Sequence, residues 1–395
     1  MNVQPANSFA PRSSDHRSSF VASSPARSLV CAGCAVLLTF SILKADSKDL
    51  PAQGDFRSIR SGPWSSTQTW ERYDGGVWIA ANVCPDSSSG VITVKAGHTV
   101  IVFSTLVYDQ LVVDLGAQVT IAAGVTHTLS DGPGIDLTID GTWLNQGSGW
   151  TILGSARWAV HDGGSYVHNT TAGIATPLSK SILSKLSTFT YRGGSSLVPA
   201  STFSGRTYGH IRFESTGGSF TLNASGAGAL VISGDLTIGS GVKWNTAGFS
   251  GNITVLGAAS IAGEWGGTGS GGQGVHLFCG PFTLEAGGKY TLVTTGGLQG
   301  SLIFLSDVNC ASAFIVPAGR IIEFNGSISQ TISAPEGMTL SNGAVSRCDI
   351  AIASGTKVEI GSQKSLVLRK NLDCSGTIAG SDSTSVLIVS DSSRT

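Results

Sequence analysis

The sequence predicts an all-β protein that folds as a β-solenoid, specifically a right-handed parallel β-helix. Glycine accounts for 53 of the 395 residues, well above an average share of about 7%. Short apolar alternations, each able to bury one face of a strand, recur between glycine, serine, asparagine and aspartate. Charged residues make up only 12% of the chain, which suits stacked turns because repeated like charges would repel one another.

One phrase recurs from residue 91 onward: an apolar alternation, a glycine near its edge, and a second alternation. Clear copies are VITVKAGHTVIV (91–102), LVVDLGAQVTIAAGVTHTL (111–129), LVISGDLTIGSGVKW (230–244) and SGNITVLGAASIAGEW (250–265). The predicted turn glycines, which we expect to supply positive φ angles, are Gly97, Gly116, Gly124, Gly141, Gly154 and Gly163. Their close spacing favours stacked coils of roughly 20 residues over a sandwich of long antiparallel strands.

These patterns divide the chain into six segments. The segments are a signal peptide or N-terminal anchor (1–45), a linker (46–60), an N-terminal cap (61–90), a first stretch of turns (91–170), an irregular excursion or seam (171–212) and a second stretch of turns (213–395). The excursion is predicted because alternation weakens there while lysine, arginine and aromatic residues increase. The chain stops inside what looks like another turn, so we expect either export by the N-terminal signal alone or a longer parent protein.

The first 45 residues have the plan of an export signal. Arg12, Arg17 and Arg27 precede the apolar run SLVCAGCAVLLTFSIL, and Ala45 is a small residue suited to a cleavage site. The run is short for a membrane span of about 20 residues. We therefore predict a secreted or cell-surface protein that meets a membrane only through this segment, if the segment stays uncleaved.

Three tryptophans, Trp64, Trp70 and Trp78, lie within residues 61–80. They could form a sugar-binding platform, the edge of an enzyme cleft, or a cap. The first turn of a solenoid has no preceding turn, so its apolar end needs an atypical covering segment. Large aromatic side chains cover much apolar area with few residues. We therefore favour a structural cap.

The segment that follows residue 60 resembles the start of the eight-glycine domain of extracellular proteins. A similar arrangement opens large surface and secreted β-solenoid proteins of Bacteroidetes-like bacteria, before a train of G-x-L-x-V repeats. The residues that carry the resemblance are Trp64, Trp70, Pro85, Gly90, Val94, Gly97, His98, Val100, Gly116 and Val119. GGSYVHNTTAGI (163–174) and IEFNGSISQTISA (322–334) resemble further repeats of that type. The resemblance implies architecture and compartment rather than a biochemical activity.

The best candidate binding patch is GRTYGHIRF (205–213). If Arg206, Tyr208, His210 and Arg212 alternate along one strand, they share a face. A face that carries arginine, tyrosine, histidine and arginine would suit an acidic sugar or another carboxylate. The alternative is an ordinary solvated strand face.

The sequence predicts no metal or other cofactor, with calcium at DGPGID (131–136) as the alternative. That loop lacks the alternating carboxylates of calcium loops. The densest acidic group is best explained as turn residues, and its members are Asp109, Asp114, Asp131, Asp136 and Asp140. Five cysteines that follow the export signal match no zinc spacing; they are Cys84, Cys279, Cys310, Cys348 and Cys374. They could be buried thiols, or the last four could form one or two disulfides.

The net charge is −1, and no basic run is present, so a nucleic-acid partner is not expected. We predict a cell-surface solenoid with a structural or adhesive role, which makes weak repeated contacts to extracellular glycans or to other surface proteins. The alternative is a carbohydrate-active β-helix enzyme or a carbohydrate-binding module. The two differ in whether two carboxylates, or a cation and a carboxylate, converge in one groove.

Overall fold

The computed structural model describes residues 50–193, 198–269, 274–294, 300–315 and 321–389. This part of the chain is almost entirely β, and its stacked parallel sheets form a β-solenoid of about 12 turns. The predicted fold class is therefore confirmed. The predicted export signal, residues 1–45, lies outside the described residues.

The N-terminal part begins with short strands and one 3-10 turn. These elements are β1 (Phe56–Ser58), β2 (Gly62–Pro63), the 3-10 turn (Thr67–Thr69), β3 (Trp70–Tyr73) and β4 (Trp78–Ala80). The first regular turns contain β5 (Ile92–Val94), β6 (Thr99–Val102), β7 (Leu106–Tyr108), β8 (Leu111–Val113), β9 (Gln118–Ile121), β10 (Thr126–Leu129), β11 (Leu137–Ile139), β12 (Thr142–Asn145), β13 (Gly149–Ile152), β14 (Trp158–Val160), β15 (Ser165–His168), α1 (Ala175–Ser179) and β16 (Ser181–Leu183).

The remaining turns continue in the same manner. Their strands are β17 (Thr188–Gly193), β18 (Val198–Thr202), β19 (Arg206–Tyr208), β20 (His210–Ser215), β21 (Phe220–Gly226), β22 (Leu230–Ile232), β23 (Leu236–Ile238), β24 (Val242–Phe249), β25 (Ile253–Val255), β26 (Ala259–Ile261), β27 (Glu264–Gly269), β28 (His276–Phe278), β29 (Phe282–Leu284), β30 (Lys289–Thr294), β31 (Ser301–Phe304), β32 (Val308–Cys310), β33 (Phe314–Ile315), β34 (Ile321–Phe324), β35 (Gln330–Ser333), β36 (Met338–Leu340), β37 (Ala344–Ser346), β38 (Ile350–Ile352), β39 (Lys357–Ile360), β40 (Ser365–Leu368), β41 (Leu372–Cys374), β42 (Thr377–Gly380) and β43 (Val386–Val389).

Each turn of the solenoid contributes strands, in chain order, to three faces, which we number one, two and three. Face two is one continuous sheet of 14 strands, from β2 to β41. Face one is divided between an eight-stranded sheet that ends at β16 and a nine-stranded sheet that begins at β19. Face three is divided into sheets that run from β7 to β13, from β18 to β30 and from β33 to β42. Thr99 pairs with Gln118 and Phe282 with Val308, so turn length varies around the predicted value of roughly 20 residues.

The described residues of the predicted excursion, 171–193 and 198–212, belong to the solenoid and contain a seam. On face one, β16 and β19 follow each other in successive turns without pairing. On face three, the short helix α1 stands in chain order where a strand would be. Face two passes through uninterrupted, since Thr188 of β17 pairs with His210 of β20. The seam therefore interrupts two faces and leaves the third intact.

Inward-facing side chains from all three faces form one core. Strand after strand alternates buried and exposed positions, as Leu230–Ile232 does in β22. Aromatic rings from successive turns lie in contact inside the core, with ring centroids 4.6 Å apart for Trp244 and Trp265 and 5.0 Å apart for Tyr166 and Phe189. Such pairs add about 0.5–1.5 kcal/mol each beyond their buried area.

Two of the three N-terminal tryptophans lie in this core. Trp64 and Trp70 are buried, and their rings meet edge to face at 5.0 Å. The indole of Trp64 donates to the carbonyl of Pro85, and that of Trp70 to the carbonyl of Trp64. Trp78 is half-buried, with the guanidinium carbon of Arg57 4.3 Å from its ring. The core thus extends before the first regular turn through Trp64 and Trp70, and Trp78 lies at its outer surface.

The predicted turn glycines are of two physical kinds. Gly97 and Gly116 have φ angles of 80° and 79°, as expected for tight corners. Gly141 does not have a positive φ; a side chain there would collide with the carbonyl oxygens of Asp114 and Ala117 in the turn before. Some corner glycines are therefore required for close stacking of turns rather than for their φ angle.

Candidate functional site

The structure does not place the four residues of the predicted patch on one face. Arg206 and Tyr208 lie in β19 on face one, whereas His210 and Arg212 lie in β20 on face two. The chain turns at Gly209, which packs closely against carbonyl groups of the preceding turn. Tyr208 is fully buried and Arg212 is exposed. The predicted geometry is therefore wrong, because a corner interrupts the alternation.

The members of the predicted patch have separate surroundings. Arg206 donates from Nη2 to the carbonyl of Ala175 at 3.2 Å. The ring of His210 accepts at Nδ1 from the backbone N–H of Asp235 at 2.9 Å. That nitrogen also lies 3.3 Å from the Asp235 carboxylate, but a nitrogen that accepts a hydrogen bond carries no proton to share. Burial raises the pKa of Tyr208 well above its ordinary value, so its hydroxyl stays protonated.

The aspartates of the DGPGID stretch hold turns together. Asp131 accepts from the backbone N–H and the hydroxyl of Ser155 in the next turn, at 2.8 and 2.9 Å. Asp136 is completely buried and accepts from the backbone N–H groups of Gly132 and Arg157, both at 2.7 Å. Within the residues that the structure describes, no group of three histidine, cysteine, aspartate or glutamate side chains is placed to hold a metal.

Asp109 and Asp136 are neighbouring carboxyl groups at one of these turns. The amide of Gln110 donates to both, at 3.4 and 3.2 Å. Burial raises the pKa of Asp109, and Asp136 raises it further, whereas the backbone N–H of Gln110 lowers it. Because Asp136 is fully buried and engaged by three donors, its carboxylate serves the turn.

A column of polar side chains runs along face two. Register pairing aligns one outward residue from each of five successive strands. These residues, which we call the polar column, are Arg212, Thr237, Ser260, Thr283 and Asn309. All five are half-buried or exposed. The spacing is one strand separation, about 4.8 Å, so the column is a regular row of hydrogen-bonding groups.

A groove of about 450 Å³ opens at the corner between faces two and three. Glycines line it at three corner positions, Gly241, Gly263 and Gly287, and of these only Gly287 has open space where a side chain would stand. Its polar side chains stand in register along β21, β24, β27 and β30. They are Thr221, Lys243, Glu264 and Lys289, with Ser219 at the edge of the groove. We call this feature the lysine groove.

Glu264 lies between the two lysines of the groove. Its Oε1 is 2.6 Å from Nζ of Lys243 and accepts from the hydroxyl of Thr291 at 2.7 Å. Burial alone would raise the pKa of Glu264, but these two hydrogen bonds and the charges of Lys243 and Lys289 hold it below its ordinary value. The groove therefore contains one carboxylate and two ammonium groups and is positively charged overall.

Sequence reasoning missed the lysine groove because its residues are far apart along the chain. A local signal does exist. Each charged residue precedes a core aromatic shortly after a glycine, as in GVKW (241–244), GEW (263–265) and GKY (288–290). The buried rings of Trp244, Trp265 and Tyr290 anchor the strands, and the preceding residue points outward by alternation.

Fold and surface together define the class of the protein: a parallel β-solenoid with register-aligned polar rows on its faces. The chain matches no protein-family model, no curated protein and no solved structure. Among the described residues, no helix has the length and apolar character needed to cross a membrane.

Proposed function

We propose that the protein is an exported, cell-surface β-solenoid with a structural and adhesive role, which makes weak repeated contacts with glycans or partner proteins. The polar column on face two is the observation that carries this proposal. Hydroxyl and amide groups can both donate and accept hydrogen bonds, as sugar hydroxyls do. A row of such groups at regular spacing lets many weak contacts act together.

The sequence supports the location. The plan of residues 1–45 is that of an export signal, and the resemblance that begins at Trp64 is to surface and secreted proteins. A low share of charged residues, 12%, also suits a surface that binds through hydroxyl and amide groups. Arg212 adds one exposed cation at the head of the polar column.

The alternative function is that of a carbohydrate-active enzyme, and the lysine groove favours it. A cation and a carboxylate, Lys243 and Glu264, do meet there. Glycoside hydrolysis needs two carboxyl groups, one of them protonated to act as the acid. The lowered pKa of Glu264 keeps its carboxylate ionised, and the ammonium group of Lys243 lies 2.6 Å from it. These features suit binding of a ligand better than proton transfer.

Binding of the full chain to a glycan array, with a parallel assay for released reducing ends and unsaturated sugar products, tests the proposal. We expect binding to several glycans without product release. The variant R212A/T237A/T283A should bind about tenfold more weakly, a loss of about 1.4 kcal/mol. The matched control is R347A/T254A/T339A, and it should bind as the wild type does. Thr254 and Thr339 project from faces one and three, and the exposed Arg347 directly follows β37 of face one. Failure to bind any glycan, or product release, would overturn the adhesive function.

A further inference from the structure

The two lysines of the lysine groove are separated by two strand spacings. Lys243 pairs in register with Glu264, and Glu264 with Lys289. Neighbouring strands are about 4.8 Å apart, so Lys243 and Lys289 project from backbones about 10 Å apart. Glu264 occupies the position between them, with its Oε1 2.6 Å from Nζ of Lys243. A ligand with two acidic groups, one on each side of Glu264, can therefore contact both ammonium groups.

The charge sequence along the groove is positive, negative, positive. Glu264 would repel an acidic group placed between the lysines, while its carboxylate can accept hydrogen bonds from hydroxyl or amide groups. Thr221 and Thr291 add hydroxyl groups beside the charges. The complementary ligand therefore carries an acidic group, then a neutral unit, then a second acidic group. In an extended polysaccharide, one sugar unit is about as long as one strand spacing, so such a ligand would lie along the solenoid axis.

The concavity fits a chain of sugar rings. Gly241, Gly263 and Gly287 line it at three successive corners; at Gly287 the missing side chain leaves open space, whereas at Gly241 and Gly263 the turns stack too closely for a side chain. The lysines and Glu264 remain reachable from solvent, with Lys243 and Glu264 side chains 40% and 26% exposed. Lys289 is exposed. A flexible polymer can enter a groove of this kind from the side, so binding does not require a free end of the polymer chain.

We propose that the lysine groove binds an acidic polysaccharide in which uronate units alternate with neutral units, with Lys243 and Lys289 each contacting a uronate and Glu264 contacting the neutral unit between them. This inference rests on the proposed glycan-binding function and names its ligand class at a second surface. It is a binding site, with no bond made or broken.

Fluorescence anisotropy of the full chain with labelled oligosaccharides of equal length tests this inference. The probes are a hyaluronan oligosaccharide, in which uronate alternates with a neutral amino sugar, an oligogalacturonate, in which every unit is acidic, and a neutral cello-oligosaccharide. We expect hyaluronan to bind tightest, with an affinity that falls as salt is added. The variant K243Q/K289Q should lose about tenfold or more of the hyaluronan affinity.

Three further variants sharpen the test. K95Q/K357Q removes two lysines that likewise lie beside carboxylates, at 3.3 and 3.4 Å, but outside the groove, and should bind hyaluronan as the wild type does. S219W fills the groove from its edge without changing charge and should weaken hyaluronan binding. E264Q should raise oligogalacturonate affinity about tenfold, because it removes the repulsion between the lysines. Thermal melting of each variant checks that the solenoid remains folded.

The outcomes separate this inference from the proposed function. If the wild type binds neutral glycans but not hyaluronan, or if K243Q/K289Q binds hyaluronan as tightly as the wild type, the inference fails and the adhesive function stands. If oligogalacturonate binds better than hyaluronan, the assigned alternation is wrong. If the wild type binds no glycan, the adhesive function fails and the groove proposal fails with it.

Discussion

His127 projects into the core among aromatic rings. Its ring centroid lies 5.1 Å from that of Trp150, 5.8 Å from Trp143 and 6.0 Å from Tyr108. The Tyr108 hydroxyl is 3.2 Å from Nδ1 of the histidine. Burial lowers the pKa of His127 to about 3, against a smaller opposing effect of Asn145. The histidine is therefore neutral in the folded protein across the physiological range.

Acid should destabilise the protein through this residue. The folded pKa lies below the unfolded value of about 6.5, so between these values the unfolded chain binds a proton that the folded protein does not. The stability contributed by His127 is present above pH 6.5 and is lost as pH falls toward 3. From pH 6.5 to 5 the loss is about 2 kcal/mol.

Denaturant unfolding at pH 7 and pH 5 measures this effect. We expect H127F to lose less unfolding free energy than the wild type over this interval. His168, whose pKa burial lowers to about 4, acts in the same direction in both proteins. The control H161F replaces a histidine whose side chain is 50% exposed and keeps His127, so it should retain the loss due to His127. Equal losses in H127F and wild type would contradict the assignment.

At the scale of the element, the corners decide how closely the turns stack. Gly141 lies directly before β12, and a Cβ there would collide with the carbonyl oxygens of Asp114 and Ala117. Gly149 begins β13, and a Cβ there would meet only a methyl group of Thr126 at 3.5 Å, an ordinary contact. Neither glycine has a positive φ. The two positions therefore differ in the space available for a side chain.

Alanine substitutions at these two positions distinguish a steric clash between turns from the change in chain entropy that replacing any glycine causes. We expect G141A to lower the free energy of unfolding by about 1–3 kcal/mol, as overpacking does. G149A should change it by about 0.5 kcal/mol or less. Denaturant unfolding of both variants measures the difference. Similar values for the two would mean that close approach between turns does not limit the fold.

The presence of strands could be predicted from the sequence. The face of the solenoid on which a residue near a corner lies could not. The alternation in GRTYGHIRF indicated one strand, and the chain instead makes β19, a corner at Gly209, and β20. Arg206 and Arg212 thus lie in different sheets. Local alternation reports burial within a strand and is lost across a corner, because the corner rotates the chain to a new face.

At the scale of the whole molecule, the seam between β16 and β19 is a break in the hydrogen-bond network. The backbone carbonyl of Lys180 accepts from the N–H of Trp158, and the backbone N–H of Ser184 donates to the carbonyl of Val160. By alternation, the backbones of Ser181 and Leu183 are directed away from β14 and toward the seam. No strand pairing joins β16 to β19 within the described part of the chain. A groove of about 360 Å³ lies there.

Hydrogen exchange should locate this break. We expect the backbone amides of Ser181, Leu183 and Thr207 to exchange faster than those in β17 and β20, because exposed, unpaired amides open at little free-energy cost. Mass spectrometry of peptides from these regions of the full chain measures the rates. The continuous ladder of face two, from Thr188 to His210, provides the internal reference. Equal protection on both faces would show that the seam is closed in solution.

The sequence by itself determined the all-β solenoid, the approximate length of a turn, and the alternation of inward and outward residues within a strand. These properties depend on alternation and on corner residues, which act over a few positions of the chain. Only the tertiary structure decided which outward residues stand together. Lys243, Glu264 and Lys289 meet because the turns between them have the lengths that bring these positions into register. Turn lengths vary along this chain, so alignment over a whole turn cannot be obtained from a local pattern.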